Sequence, residues 1–453
     1  MGDEMFEWVI AGGRVADPER GTFAYQNIGI RGGRIAAISE APLASEQVWD
    51  AAGLVVSPGF IDIHSHVSGQ EYSGLLSARQ GITTTVGGNC GGSPLCLASF
   101  FREQEEQGFI IHQASFIGHS TLRREMGAGE PLSAATEEQI CLMEKQVSAA
   151  MAAGACGLSL GLAYIPGSSW EEIIRLCRIA AEADRLVAVD TRLKSLTDLD
   201  SLREVVEISR QTGARTQVSH FVYQYGVGIL GEALKIVDEA RAEGINIRLD
   251  SGMYTPWTSG IQAVLFSPEQ LALSGLGLSD ILVITGPYKG RRLDEELYEF
   301  LRNSEERTSV VVFGSGVEEE IYEALRHPWA MPSTDIGPYG SGEGHPQIAG
   351  SFPRFFRKMV KERQELSLME AIRKATLLPA QTLKLATKGR MAVGCDADFV
   401  IFDPMKLEDK SEFLGIGEPD APPVGIQSVW VAGVPAIIEN EDQRAKSGQV
   451  VRF

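Results

Sequence analysis

The alternation of strand-like and helix-like segments between residues 58 and 388 is the feature that most constrains the fold. Strand-like runs include "GITTTVGGN", "HQASFIGH", "LVAVDTR", "ARTQVSH", "INIRLDS" and "TSVVVFG", and helix-like stretches separate many of them. Such alternation is typical of a parallel sheet, and at this length it predicts a closed (β/α)8 barrel. About ten candidate strands are counted, so at least two must lie outside the barrel or be misassigned.

Both ends of the chain are rich in β-type residues and lack this alternation. "WVIAGGRV" and "IGIRGGRIAAI" near the start carry Gly-Gly between β-rich runs, and "GCDADFVIFDP" and "SVWVAGVPAII" repeat the style near the end. Glycine pairs between such runs indicate hairpins. The predicted organisation is therefore an α/β chain with a barrel over 58–388. Residues 1–57 and 389–453 are expected to join in a small composite β-sandwich.

Charge and composition restrict the class of partner. The formal net charge is −19, which argues against binding of nucleic acid or of an anionic membrane. No apolar run approaches the roughly 18 residues of a membrane span, and the acidic start "MGDEMFEWVI" does not resemble a signal peptide. Six cysteines lack the spacing of a disulfide framework. We expect a cytoplasmic protein with a small-molecule partner; a homo-oligomer is one of the alternatives left open.

Metal-binding side chains follow several of the strand-like runs. In "PGFIDIHSHV" the two histidines lie two residues apart, so in a strand both imidazoles point to one face. Active sites of barrels lie at the carboxyl ends of the strands. The residues in question are His64, His66, Cys90, His220, Asp250 and Asp335. Each alone has an ordinary explanation, such as a helix cap for an aspartate, but together they predict a metal site.

The sequence resembles the N-acyl-D-amino-acid deacylase branch of the amidohydrolase superfamily over nearly its whole length. The motifs that carry the resemblance are "PGFIDIHSH", "GITTTVGGNCGGS", "GHSTLR", "GACGLSLGLAYIPG", "VSH", "HPQIAGSFPRFF", "ATLLPAQTLKL" and "GCDADFVIFDP". The resemblance implies a metal-dependent (β/α)8 TIM barrel with a small composite β-sandwich. It also implies one or two divalent ions, zinc above all, and hydrolysis of a non-peptide amide C–N bond by metal-activated water.

The resemblance also implies a role for each matching residue. His64 and His66 match the metal pair of the first strand, and His220 matches the ligand of the fifth strand. Cys90 matches the cysteine that replaces a carboxylated lysine in this branch, and a thiolate is a good zinc ligand. Asp335 matches the acid after the last strand, expected to bind metal and to act as general base and acid.

Several positions leave alternatives open. Asp250 stands where relatives have a histidine after the next strand, so it is either a ligand or an unligated aspartate. Gln347 replaces the arginine of an "HPR" motif that holds the substrate carboxylate, although Arg354 from a shifted loop is an alternative. Arg192 either binds a substrate anion or pairs with an acidic neighbour. Lys194 is either a carboxylated lysine that bridges two metal ions or an ordinary solvated lysine.

Three functions are compatible with these residues. The leading one is deacylation of an N-acyl amino acid, the second is hydrolysis of a cyclic amide as in hydantoinases or dihydroorotases, and the third is a catalytically silent scaffold. Retention of five ligand candidates argues against the scaffold; these are His64, His66, Cys90, His220 and Asp335. Because Gln347 is neutral, we expect weak activity on free acids and better turnover where the carboxylate is masked, cyclised or absent.

Overall fold

A computed structural model describes residues 5–195 and 197–453 of the protein. The described strands are β1 (Phe6–Asp17), β2 (Thr22–Arg31), β3 (Arg34–Ser39), β4 (Ser45–Asp50), β5 (Val55–Pro58), β6 (Phe60–Asp62), β7 (Ile82–Gly87), β8 (His112–Gly118), β9 (Gly157–Gly161), β10 (Leu186–Asp190), β11 (Arg215–Val218), β12 (Ile247–Ser251), β13 (Trp257–Gly260), β14 (Ile281–Val283), β15 (Ser309–Val312), β16 (Ala330–Pro332), β17 (Phe399–Phe402), β18 (Ile426–Val431), β19 (Val434–Ile438) and β20 (Glu441–Asp442).

The described helices are α1 (Glu71–Arg79), α2 (Leu97–Gln107), α3 (His119–Glu125), α4 (Glu137–Ala153), α5 (Trp170–Glu182), α6 (Asp200–Thr212), α7 (Phe221–Tyr225), α8 (Leu230–Ala242), α9 (Pro268–Ser274), α10 (Glu295–Arg302), α11 (Glu318–Arg326), α12 (Gln347–Phe356), α13 (Leu368–Ala375) and α14 (Leu377–Leu383). Short 3-10 turns occur at Val264–Phe266 and Leu278–Asp280, and a π-helix at Arg357–Glu362 continues α12. Within the described ranges, no helix combines the length and apolar character needed to cross a bilayer.

Eight strands form the predicted barrel. They lie side by side in the order β6 to β12 and then β16, and each pairs in parallel with its neighbour. The central strands are buried along their whole length, as in "LVAVD" of β10, because helices cover the outer face of a parallel sheet. The circle closes just beyond the strand ends, where Asp335 N donates to His64 O at 2.9 Å and His66 N to Ile336 O at 2.8 Å. The (β/α)8 prediction is confirmed.

The two chain ends join in one nine-stranded sheet, which confirms the predicted composite domain. Strand β5 pairs antiparallel with β17, so that Pro58 lies opposite Phe399 and Val55 opposite Phe402. The fully buried ring of Trp430 is in edge contact with Trp8 in the core of this sheet. The division at residues 57/58 and 388/389 stays a prediction; the neighbouring strand limits are β5 ending at Pro58 and β17 beginning at Phe399.

One predicted barrel strand is wrong. "TSVVVFG" forms β15, which pairs antiparallel with β13 and β14 in a separate three-stranded sheet. This sheet belongs to an insertion between β12 and β16, residues 252–329, with its own buried core around Phe266 and Val310. A run of β-branched residues fits a buried strand of either kind, so the sequence pattern alone does not assign it to the barrel.

Candidate metal centre and active site

Six of the potential ligand side chains converge at the carboxyl end of the barrel. One group consists of His64, His66, Cys90 and Asp335, and a second consists of Cys90, Asp190 and His220. Within each group the donor atoms lie within 4.8 Å of one another. Because Cys90 belongs to both groups, its sulfur occupies the centre of the cluster.

The distances around Cys90 place a thiol between two imidazoles. Its Sγ lies 3.3 Å from His64 Nε2 and 3.4 Å from His220 Nε2. On the other side of the cluster, Asp335 Oδ1 lies 3.1 Å from His66 Nε2 and 3.4 Å from His64 Nε2. All of these atoms are aimed at one small volume, which is the arrangement that a metal ion requires.

The backbone is strained where these side chains are presented. Cys90, His220 and Asp335 have φ values of 49°, 33° and 51°, in the left-handed region that residues with a side chain seldom adopt. Such conformations cost about 1–3 kcal/mol each and persist where the surrounding structure enforces them, commonly at functional sites. A left-handed backbone conformation at each of these three residues thus accompanies the presentation of its side chain to the cluster.

The glycines beside Cys90 let its loop pass close to neighbouring strands. Gly88 has a φ of +79°, and a Cβ there would lie 2.3 Å from Phe116 O; at Gly91 it would lie 2.3 Å from Ser120 Oγ. Only glycine fits both the conformation and the space. The "GGNCGG" loop is therefore built for close backbone approach.

Asp250 lies behind the cluster and orients it. Its Oδ1 accepts from His64 Nδ1 at 3.1 Å, from the backbone N–H of His220 at 3.0 Å and from Ser333 Oγ at 2.8 Å. Its Oδ2 accepts from Gln217 Nε2 at 2.6 Å. A carboxylate bonded to Nδ1 fixes the imidazole tautomer and leaves Nε2 free to bind metal. Of the two alternatives for Asp250, the structure favours the one in which it is not a ligand.

The strand numbering implied for His220 needs correction. His220 follows β11, the sixth barrel strand, and Asp250 lies in β12, the seventh. The fifth strand, β10, ends at Asp190, whose Oδ2 lies 3.8 Å from His220 Nε2. Sequence reasoning missed Asp190, although "LVAVD" ends in an acid like the other runs, because an acid after a strand is equally typical of a helix cap.

The electrostatics of the cluster suit a cation. Burial raises the pKa of the Cys90 thiol well above its usual range, and the charges of Asp190, Asp335 and Asp250 raise it further. Burial alone would also raise the pKa of Asp335, but hydrogen bonding to His66 and the nearby imidazoles outweigh it and lower that pKa. A divalent cation would instead favour the thiolate. Three imidazoles, a thiol and two carboxylates are the ligand types that zinc takes, so these residues fit a zinc site.

The cluster opens into a cavity of about 1240 Å³ between the barrel and the insertion. Close to the cluster the cavity is lined by Tyr164 and Tyr223, and burial raises the pKa of both phenols well above the usual value. Both therefore stay protonated at neutral pH and able to donate a hydrogen bond. Tyr164 also contacts the insertion, with its hydroxyl 3.0 Å from Ser259 Oγ.

The residues predicted to bind substrate are not presented to this cavity. The guanidinium of Arg192 donates to Glu204 at 2.9 Å and to the carbonyls of Pro166 and Ser168. These contacts agree with the alternative of pairing with an acid. Lys194 is exposed and belongs to neither ligand group, and Arg354 donates to Met253 O and Asp409.

Gln347 has a different role from the predicted one. It is fully buried, its Nε2 donates to Asp335 O at 2.7 Å, and its Oε1 accepts from Tyr223 at 2.9 Å. The amide thus links the strained backbone of Asp335 to a cavity-lining phenol. The sequence identified Gln347 as a residue near the site but not the direction of its side chain, because that direction depends on how α12 packs.

Known proteins are similar to this chain in both sequence and fold. A model of the Amidohydrolase family matches residues 301–437. N-acyl-D-glutamate deacylase of Alcaligenes xylosoxydans xylosoxydans is 31% identical over 99% of this chain and 97% of its own length.

Two solved structures are also similar. The N-acyl-D-glutamate deacylase from Bordetella bronchiseptica, complexed with zinc and a phosphonate mimic of the tetrahedral intermediate, superposes with a TM-score of 0.87 at 29% identity, covering 99% of this chain and 100% of that one. A D-aminoacylase with a binuclear metal centre, activated by one metal and attenuated by the second, gives 0.88 at 26% identity with the same coverage. This chain therefore belongs to the N-acyl-D-amino-acid deacylase branch of the amidohydrolases, metal-dependent enzymes that cleave non-peptide amide C–N bonds.

Proposed function

We propose that the protein is a zinc-dependent deacylase whose substrate has no free carboxylate next to the amide that is cleaved. The observation that carries the catalytic part is the convergence of His64, His66, Cys90, His220 and Asp335, of which all but the buried His64 line the cavity. Asp190 joins this set in place of Asp250.

Each side chain then has a task. Cys90 and His220, with Asp190, would hold one ion, while His64 and His66 lie where they would hold a second or complete the first. When bound, a divalent ion polarises the amide carbonyl and makes a water molecule more acidic. Asp335 is placed to take the proton from that water and to pass it to the departing nitrogen, and the Tyr164 hydroxyl can donate to the carbonyl oxygen.

The substrate part rests on the cations around the site. Among the described residues, only Arg124 and Arg307 supply a lysine or arginine side chain to the cavity wall. Gln347 is buried behind Asp335, and Arg192 is engaged with Glu204. A carboxylate next to the reacting amide would thus lack the charged, bidentate partner that an arginine gives.

A hydrolysis screen tests the proposal. Zinc-loaded protein is assayed on N-acetyl-D- and N-acetyl-L-amino acids, the corresponding N-acetyl amino acid amides, and hydantoins. We expect the neutral compounds to exceed the matching free acids in kcat/KM by roughly 10-fold or more, since a hydrogen bond to a charged group is worth about 1.5–3 kcal/mol. Faster turnover of the free acids would refute the substrate part. Hydrolysis of hydantoins alone would favour the cyclic amidohydrolase.

The location of the protein in the cell is the next point. We propose a cytoplasmic location, supported by six cysteines that are all free in the structure. Fractionation of the source cells followed by detection of the protein tests it, and recovery outside the cytoplasm would contradict it.

A further inference from the structure

Arg307 differs from the other arginines discussed above in having no partner. It lies in the insertion, just before β15, and it lines the same cavity as the candidate metal ligands. Its side chain is exposed and makes no hydrogen bond or ion pair with any residue in 5–195 or 197–453. An arginine on the cavity wall whose guanidinium makes no hydrogen bond or ion pair is available to a ligand.

The backbone around Arg307 is held in place although its side chain is free. The amide of Gln262 bridges its two neighbours: it donates to Glu306 O at 2.9 Å and accepts from Thr308 N at 3.4 Å. Ile261 N also donates to Thr308 O at 2.9 Å. The position from which the arginine extends is therefore fixed by the segment that directly follows β13.

Two other charged residues on the cavity wall, Arg124 and Glu343, have polar partners. The second arginine, Arg124, has its Nε 3.3 Å from Glu125 Oε1. Glu343 lines the cavity but accepts from the N–H groups of Gly286 and Gly340. Glu306 is exposed beside Arg307 and makes no ion pair with it within 4.0 Å. Thr285 and Ser309 also line the cavity and lie side by side, with Ser309 N donating to Thr285 Oγ1 at 2.9 Å.

We propose that Arg307 binds a carboxylate carried at the far end of the substrate, away from the amide that is cleaved. The proposal rests on the proposed function, because it assigns the other end of the same ligand. The planar guanidinium of arginine can donate two parallel hydrogen bonds to a carboxylate. Because Arg307 lies on the insertion and not on the barrel, a carboxylate bound to it would be separated from the amide that is cleaved. The substrate class is thus an N-acyl compound with a remote acid group.

Binding of a matched ligand series tests this role. N-acetyl-ω-amino acids with chains of increasing length, and their primary amides, are titrated calorimetrically into zinc-loaded wild type, Arg307→Gln and Arg124→Gln. We expect wild type to bind the acid more tightly than its amide by about 10-fold at one range of chain lengths. Arg307→Gln should abolish this preference, and Arg124→Gln, the matched cavity arginine, should retain it.

Two results would overturn the role of Arg307. One is the absence of any acid preference in wild type at every length, and the other is a preference that survives Arg307→Gln. Hydrolysis of the same compounds is followed separately. Arg307-dependent binding of acids that are never cleaved would contradict the proposed function while supporting the anion site, so the two failures are distinguishable.

Discussion

Single residues at the carboxyl end of the barrel account for most of the chemistry. His64, His66 and Asp335 could be identified from the sequence because they follow strand-like runs and match a known branch. Asp190 was missed, since nothing in one sequence distinguishes a strand-ending acid that faces a metal from one that caps a helix. The roles of Asp250 and Gln347 depend on where their side chains point, which only the packed structure gives.

Replacing Asp335 with asparagine separates proton transfer from metal binding. The shape is kept while the base is removed, so we expect turnover to fall by roughly 10²–10⁴-fold, the usual contribution of a positioned proton-transfer group. Steady-state kinetics and metal analysis of the same preparation measure the two effects. Near-normal turnover with metal in place would show that the proton moves by another route.

Replacing Asp250 with asparagine tests its orienting role. An amide accepts more weakly from His64 Nδ1, and its NH2 group would oppose Gln217 Nε2, now 2.6 Å from Oδ2. We expect zinc affinity to fall by about 10–100-fold, as for other partners of metal-bound histidines. Competition with a chelator measures it, with the exposed Asp184→Asn as control. Unchanged affinity would contradict this role.

At the scale of elements, a buried ionic cluster braces one wall of the cavity. Glu172 of α5 accepts from His119 Nε2 and from Arg123 Nη1, each at 2.7 Å, and all three side chains are buried. Arg123 also donates to the carbonyls of Ala128 and Ser133, in the loop that follows α3. Arg123 is thus engaged by Glu172 and by backbone carbonyls.

Loss of this carboxylate should be costly because Arg123 would remain buried without its counter-charge. We expect Glu172→Gln to lower the free energy of unfolding by about 3–5 kcal/mol, the usual effect of removing one partner of a buried pair. Urea denaturation measures it. The control is Glu171→Gln on the same helical turn, exposed and 3.6 Å from Arg175, which should cost less than about 1 kcal/mol. An equal loss of unfolding free energy in the two variants would contradict the stabilising role of Glu172.

Across the whole molecule, residues 448–453 pack against the barrel, far along the chain from the strands they contact. Residues 448–453 run beside β8, where Gln113 N donates to Gln449 O at 3.0 Å and Val451 N donates to Gln113 O at 2.8 Å. Val451 and Phe453 pack on the buried side chains inside the barrel. The barrel and composite sheet were predictable from alternation and turn residues, but this docking and the insertion were not, since both depend on contacts between distant segments.

Deletion of residues 448–453 should destabilise the barrel without changing the metal ligands. Four lost backbone hydrogen bonds and partial exposure of two apolar side chains amount to about 3–8 kcal/mol. We expect a lower thermal midpoint in zinc-loaded protein and an unchanged zinc content per folded chain. A midpoint equal to that of wild type would show that the segment contributes nothing to stability.

X-ray absorption spectroscopy of the zinc-loaded protein tests the metal centre most directly. With Cys90 at the centre of the cluster, we expect a sulfur ligand at about 2.3 Å and nitrogen or oxygen ligands at about 2.0–2.2 Å from zinc. In Cys90→Ala the sulfur contribution should disappear, while in Cys96→Ser, which alters an exposed thiol, it should stay. A wild-type spectrum with no sulfur ligand, or a sulfur ligand that persists in Cys90→Ala, would contradict the assigned centre.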